Sequence, residues 1–219
     1  MNKLILSILL ILTLLACEDR IKFEEPQPPG KNDLRQLPGK LQGTYYSTSD
    51  STFLTITDTQ IIEWVDIVTK SLIDSLDIDS TLIDQQTSDS VRIIDGKYNL
   101  TFKFLSADSV TVYYSYRDTI FNISDEHLIR RFKGHYFLNY KRTDNDWKVR
   151  RLTLDKNELT FSRVRIPEDI SDLKEITEVQ EIKSDSGKVV GYKLNPSKKE
   201  LKKLMKHRFS ETKSYIKTQ

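Results

Sequence analysis

The sequence predicts a mainly β protein, antiparallel and of barrel or sandwich type, with an amphipathic α-helix near the C-terminus. Three observations predict it. Between Leu41 and Arg165 the chain is rich in Thr, Val, Ile, Tyr and Phe, and is punctuated by Ser-Asp and Asp-Ser pairs that suit turns. In Lys97 to Phe104, Tyr98, Leu100, Phe102 and Phe104 alternate with Lys97, Asn99, Thr101 and Lys103, the period of a strand with one buried and one wet face. Ser197 followed by Glu200 forms a capping box, and Leu201, Leu204, Met205 and Phe209 make an apolar stripe at helical spacing.

Taken in order, strands are expected at residues 43–47, 53–57 and 60–68. The spacing of Ile61, Val65, Val68, Leu72 and Leu76 would also suit a helix, but the β-branched content favours a strand. The alternating stretch 97–104 turns at Ser106 to Ser109 into 110–116, a hairpin. Further strands read at 119–123, 127–140, 147–154 and 158–165. A short helix is expected over 170–176. Residues 174–183 and 188–194 flank Asp185-Ser186-Gly187, a hairpin signal. The helix near 197–209 follows, and 214–217 adds a last short strand.

The first sixteen residues read as an export signal. Lys3 supplies the charge, Leu4 to Leu15 the short apolar run, and Ala16 the small residue before the cut. A membrane span needs about 20 apolar residues, and this run meets Glu18, Asp19 and Arg20 well before that. Leu14-Leu15-Ala16-Cys17 resembles the lipobox of bacterial lipoproteins. That resemblance implies a diacylglycerol on the Cys17 thiol, cleavage before Cys17, and residence on a membrane of the bacterial cell envelope. Asp19 matches the enterobacterial sorting rule for the inner membrane, whereas Glu18-Asp19 partly resembles the surface-export signal of Bacteroidetes-type lipoproteins, a resemblance that favours the outer membrane. Residues 17–40 carry Pro26, Pro28, Pro29 and Pro38 with Gly30 and Gly39, and read as a flexible Pro-rich tether. Residues 41–219 then read as a single β-rich domain.

An internal repeat is visible. Leu41-Gln42-Gly43-Thr44-Tyr45-Tyr46 matches Phe132-Lys133-Gly134-His135-Tyr136-Phe137 in its apolar, glycine and aromatic positions. Leu54-Thr55-Ile56 with Ile61 matches Leu152-Thr153-Leu154 with Leu159. Each copy reads as three strands joined by two turns, so the domain would consist of two related β units. Gly43 and Tyr45 at the first strand, with the terminal helix, resemble a lipocalin-type barrel, although that family carries Trp where Tyr45 stands. Phe132 to Asn139 followed by Asp146-Trp147 resembles uncharacterised membrane lipoproteins of the Bacteroidetes type, a likeness that implies an address and no activity.

Chemistry is sparse. His127, His135 and His207 do not have zinc-ligand spacing. Asp77 and Asp79 begin like a calcium loop within the run Asp74, Asp77, Asp79 and Asp84, but lack its glycine and closing glutamate. There is no phosphate loop and no nucleophile elbow. No catalytic, metal or cofactor residue is assigned, and Cys17 is the one modification site. Net charge is +2, which disfavours a nucleic-acid partner. Lys198, Lys199, Lys202, Lys203 and Lys206 form a basic helix face, either simply solvated or a docking face for anionic headgroups. Tyr45, Tyr46, Tyr113, Tyr114 and Tyr116 read as core or cross-strand residues. The expected function is a non-enzymatic binding or scaffold lipoprotein that engages the membrane through its lipid, and an apolar small molecule or envelope protein through its fold. The alternative is a hydrolase of envelope glycans or lipids using two facing carboxylates.

Overall fold

The computed structural model describes residues 20–73, 90–106, 108–142, 145–167 and 170–218. The signal segment, Cys17 and the acidic run Asp74, Asp77, Asp79 and Asp84 lie outside them. In chain order the strands are β1 (Ile21–Phe23), β2 (Gly43–Tyr46), β3 (Phe53–Ile56), β4 (Gln60–Leu72), β5 (Ser90–Asp95), β6 (Tyr98–Phe104) and β7 (Ser109–Asn122). Then come β8 (His127–Phe132), β9 (His135–Lys141), β10 (Trp147–Asp155), β11 (Glu158–Val164), β12 (Val179–Lys183), β13 (Val189–Leu194) and β14 (Phe209–Lys217). Helix α1 (Ser171–Lys174) precedes β12, and α2 (Lys198–His207) precedes β14. The mainly β class holds, and the strands do not close into a barrel.

The described residues fall into two compact units. The first comprises the described residues within 20–35, 123–154 and 160–213; the second comprises those within 36–122, 155–159 and 214–218. In the first unit β12 pairs with β13, which runs parallel to β1, and β1 meets β10 at Phe23 opposite Trp147. On its other side β10 pairs with β9, and β9 with β8. Ile21, Phe23, Phe137, Leu173, Leu194, Leu201 and Leu204 form the core. Helix α2 enters it with Leu201 and Leu204 fully buried, about 1.5–3 kcal/mol each, whereas Phe209, the last residue of the predicted stripe, opens β14 instead of extending the helix. Its capping box closes as expected, with Ser197 Oγ accepting from Glu200 N and Glu200 Oε2 accepting from Ser197 N.

The segment expected to be a tether is, over its described part, structural. Arg20 O accepts the Tyr192 amide at 2.7 Å, Phe23 is buried, and in the second unit Leu37 is completely buried. Lys22 pairs with buried Asp146 at 3.2 Å. The prolines do not oppose this packing. A proline offers only a carbonyl to be satisfied, and Arg130 Nη1 donates to both Pro26 O and Pro28 O.

The second unit orders its strands β14-β2-β3-β4-β7-β6-β5. The stretch with helical spacing is, from Ile61 to Leu72, the strand β4, as preferred, held by pairing with β7, and Leu76 lies outside the described residues. That long partner also fuses 110–116 and 119–123 into one strand. By contrast, 127–140 is not one strand. Lys133 and Gly134 both have positive φ and make a two-residue turn between β8 and β9, with Phe132 opposite His135.

The repeat is present in the pairing itself. β2-β3-β4 and β9-β10-β11 are each a three-stranded meander. Tyr45 sits opposite Leu54 in the first, and its counterpart Tyr136 sits opposite Leu152 in the second. All four side chains are buried. One detail differs: Gly43 opens a strand, whereas Gly134 lies in a turn.

Candidate binding surface

In the second unit, β4, β7, β6 and β5 form a four-stranded stretch whose faces differ in chemistry. Directly opposed residues of antiparallel strands share a face, so the register defines rows running across the sheet. Ile67, Tyr114, Leu100 and Ile93 stand in one such row. Val65, Tyr116 and Tyr98 stand in the next row, and Thr69, Val112 and Phe102 on the other side.

Burial is graded along this face. Phe102, Val110 and Val112 form a small core cluster, with Ile73, Leu100 and Phe104 packed against it. Further along, Ile67 is 48% exposed, Tyr98 49% and Ile93 37%. The Tyr98 ring packs tilted against Tyr116, with centroids 5.2 Å apart, and against Tyr114 at 6.1 Å. Such pairs contribute about 0.5–1.5 kcal/mol and hold the rings in place. The result is a tyrosine cluster beside exposed aliphatic side chains.

An acidic pair borders the cluster. Glu63 and Asp118 are directly opposite in register and therefore share this face. Asp118 is bound by Lys97 at 2.7 Å and accepts the Tyr116 hydroxyl at 3.3 Å, while Glu63 accepts the Tyr215 hydroxyl. Burial, then the charges of Asp118 and Glu63, pushes the Tyr116 phenol up to about 12. Tyr215 is raised by burial and by its bond to Glu63. Both phenols therefore stay protonated and donate. The opposite face mixes polar and apolar groups: Arg117 bridges to Asp66 at 2.6 Å and covers Trp64, Arg92 donates to Asn99, and Val68, Leu72, Ile94 and Tyr113 are exposed among Asp66, Lys70, Thr101 and Arg92.

No family model, curated protein or solved structure matches this chain.

The residues singled out in the sequence fall in several places. Tyr45 is core, its hydroxyl donating to Leu41 O at 2.8 Å, and the Tyr46 ring lies tilted against Phe53. Tyr114 and Tyr116 join the cluster, and Tyr113 faces the other way. His127 packs edge-on to Tyr140, His135 Nδ1 bonds Thr153 Oγ1 at 2.8 Å, and His207 ends α2. Burial, then Arg151, lowers the His135 pKa. Among the described residues no group of three or more His, Cys, Asp or Glu could hold a metal.

The five helix lysines are exposed. Lys198 donates to Gly30 O at 3.1 Å, and with Lys199 it borders an open groove of about 610 Å³ that includes Glu25 and Asn195. The capping box there already uses the Ser197 and Glu200 amides. Tyr98 is what the sequence reading missed as surface: alternation placed it with Phe102 on the buried side of β6. The shared face was legible in Tyr114 and Tyr116, but not how far along it burial extends.

Proposed function

We propose that this chain is a non-enzymatic binding module of a bacterial cell envelope, held on a membrane, the outer before the inner, by lipid on Cys17. The observation that carries the binding role is the row Ile67-Tyr114-Leu100-Ile93 with Tyr98 beside it, in which Ile67, Ile93 and Tyr98 are exposed around the half-buried Tyr114 and Leu100. Contiguous apolar surface of this kind marks association sites, and tyrosines supply large contact area at small entropic cost. An open face suits a protein partner better than a small molecule, whose sites are concave and bury most of the ligand.

The carboxylates support the same reading. Hydrolysis by two acids needs them to face each other across a cleft with substrate between. Glu63 and Asp118 are neighbours on one surface, bound to Tyr215, Lys97 and Tyr116. Their chemistry is that of hydrogen-bond acceptors that fix the tyrosines.

A photo-crosslinking amino acid at Ile67 or Tyr98, in the full chain in its native envelope, tests the surface. A discrete adduct from both positions, lost on Tyr114→Glu and not formed from Lys70 on the opposite face, is expected. Absence of an adduct at every position refutes the binding role. Separately, Cys17→Ser should release the protein from the membrane fraction, and unchanged membrane retention refutes the anchor.

A further inference from the structure

The chain is fixed to the first unit almost as soon as it leaves Cys17. Arg20 O accepts the Tyr192 amide, and Ile21 and Phe23 lie opposite Tyr192 and Leu194 in parallel register. A Cβ on Gly191 would lie 2.7 Å from the same Arg20 carbonyl, so the two strands are in close backbone contact. Four residue steps lead from Cys17 to Ile21, a reach of at most about 14 Å.

Because β13 is parallel to β1, its residues before Tyr192 extend past Ile21 in the direction from which the chain arrives. Lys188 is four residues out, about 13 Å of strand. The turn at Ser184 to Gly187 lies beyond it, closed by Ser184 N to Lys188 O and Gly187 N to Ser184 O. Near this tip Ile182 pairs with Gly191 and Lys183 with Val189, so Val190 is the extra residue of a bulge. Val189 and Val190 are consequently exposed side by side, 37% and 47%, with Lys183 and Lys188 next to them.

Resting on the lipidated Cys17 of the preceding section, we propose that the tip of the β12–β13 hairpin is the protein's membrane contact. The turn from Ser184 to Gly187, Asp185 included, meets the headgroup layer of the leaflet that holds the Cys17 acyl chains first, and Val189 and Val190 follow it into that layer with Lys183 and Lys188 beside its phosphates. The relation is one of length: the anchor's greatest reach is no more than about the hairpin's projection, so a lipid drawn out on that side brings the tip to the leaflet. The lysines of α2 are placed differently. Leu194, opposite Phe23 at the far end of β1, leads through Ser197 into that helix, so its start lies on the side away from the anchor.

The test uses the full chain, processed in a bacterial host and reconstituted into phosphatidylethanolamine–phosphatidylglycerol vesicles, with Val189→Cys, Val190→Cys or Lys199→Cys. A thioether-linked Cys17 has no free thiol, so a maleimide-coupled, polarity-sensitive fluorophore reports only the introduced position. The expected result is blue-shifted emission at 189 and 190, with quenching by headgroup-level nitroxide lipids several-fold stronger than at 199. Equal quenching at all three positions, in protein that floats with the vesicles, overturns the hairpin contact and leaves the anchor standing. Labelling of Cys17 itself, with failure to float, overturns the anchor and the contact with it.

Discussion

Asn139 holds the backbone of Gln27 from both sides. Its Oδ1 accepts the Gln27 amide at 2.6 Å and its Nδ2 donates to the Gln27 carbonyl at 2.9 Å, the two bonds a neighbouring strand would make. Both residues are completely buried. A side chain on β9 thus does for the N-terminal segment what a sheet ladder does elsewhere.

Asn139→Leu should therefore cost about 3 kcal/mol or more, because it strands a buried donor and a buried acceptor at about 1–3 kcal/mol each. Urea unfolding of the first-unit transition measures it. A loss below about 1 kcal/mol would mean that water replaces the side chain.

Gly191→Ala drives a methyl group into Arg20 O, which is backbone and has little room to yield. A destabilisation of about 1–3 kcal/mol is expected. The penalty should disappear in a chain that begins after Phe23; persistence there would place the strain elsewhere.

Ser197→Ala removes one half of the capping box on α2 and should cost about 1 kcal/mol, with Ser197→Asp restoring most of it. Thermal unfolding by circular dichroism checks both, and equal stability of the three proteins would discount the cap.

His135 has its pKa lowered by burial and by Arg151. The unfolded chain therefore binds a proton more readily, at about pH 6.5, and the stability His135 contributes is present above that pH and lost as pH falls through the folded value. The difference in denaturation midpoint between wild type and His135→Gln should change across this acid range. A pH-independent difference would contradict the assignment.

Tyr116 stays protonated until about pH 12, above the ordinary phenol. Alkaline titration of phenolate absorbance should show a late component in the folded protein that is smaller in Tyr116→Phe. With the folded value raised, stability should fall as pH climbs from about 10 towards 12.

The sequence by itself determined much of the secondary structure, because alternation, capping and β-branched content are local signals. Lys97 to Phe104 and Ser197 to His207 are the clearest cases. It also held the repeat as a residue pattern, although Tyr45 and Leu54 are closer in sequence than Tyr136 and Leu152, and only the strand pairing sets each couple face to face. Tertiary structure alone decided the rest. Proline and glycine content marks residues 17–40 as a leash, but whether Ile21, Phe23 and Gln27 stay in solvent depends on partners more than a hundred residues away. The same holds for the tyrosine face: period two assigns Tyr98 and Phe102 to one side of β6, and only the register with β7 and β4, and the extent of the Phe102 cluster, leaves Tyr98 exposed and Phe102 covered. Local periodicity fixes which way a side chain points, whereas burial is a property of everything that arrives on top of it.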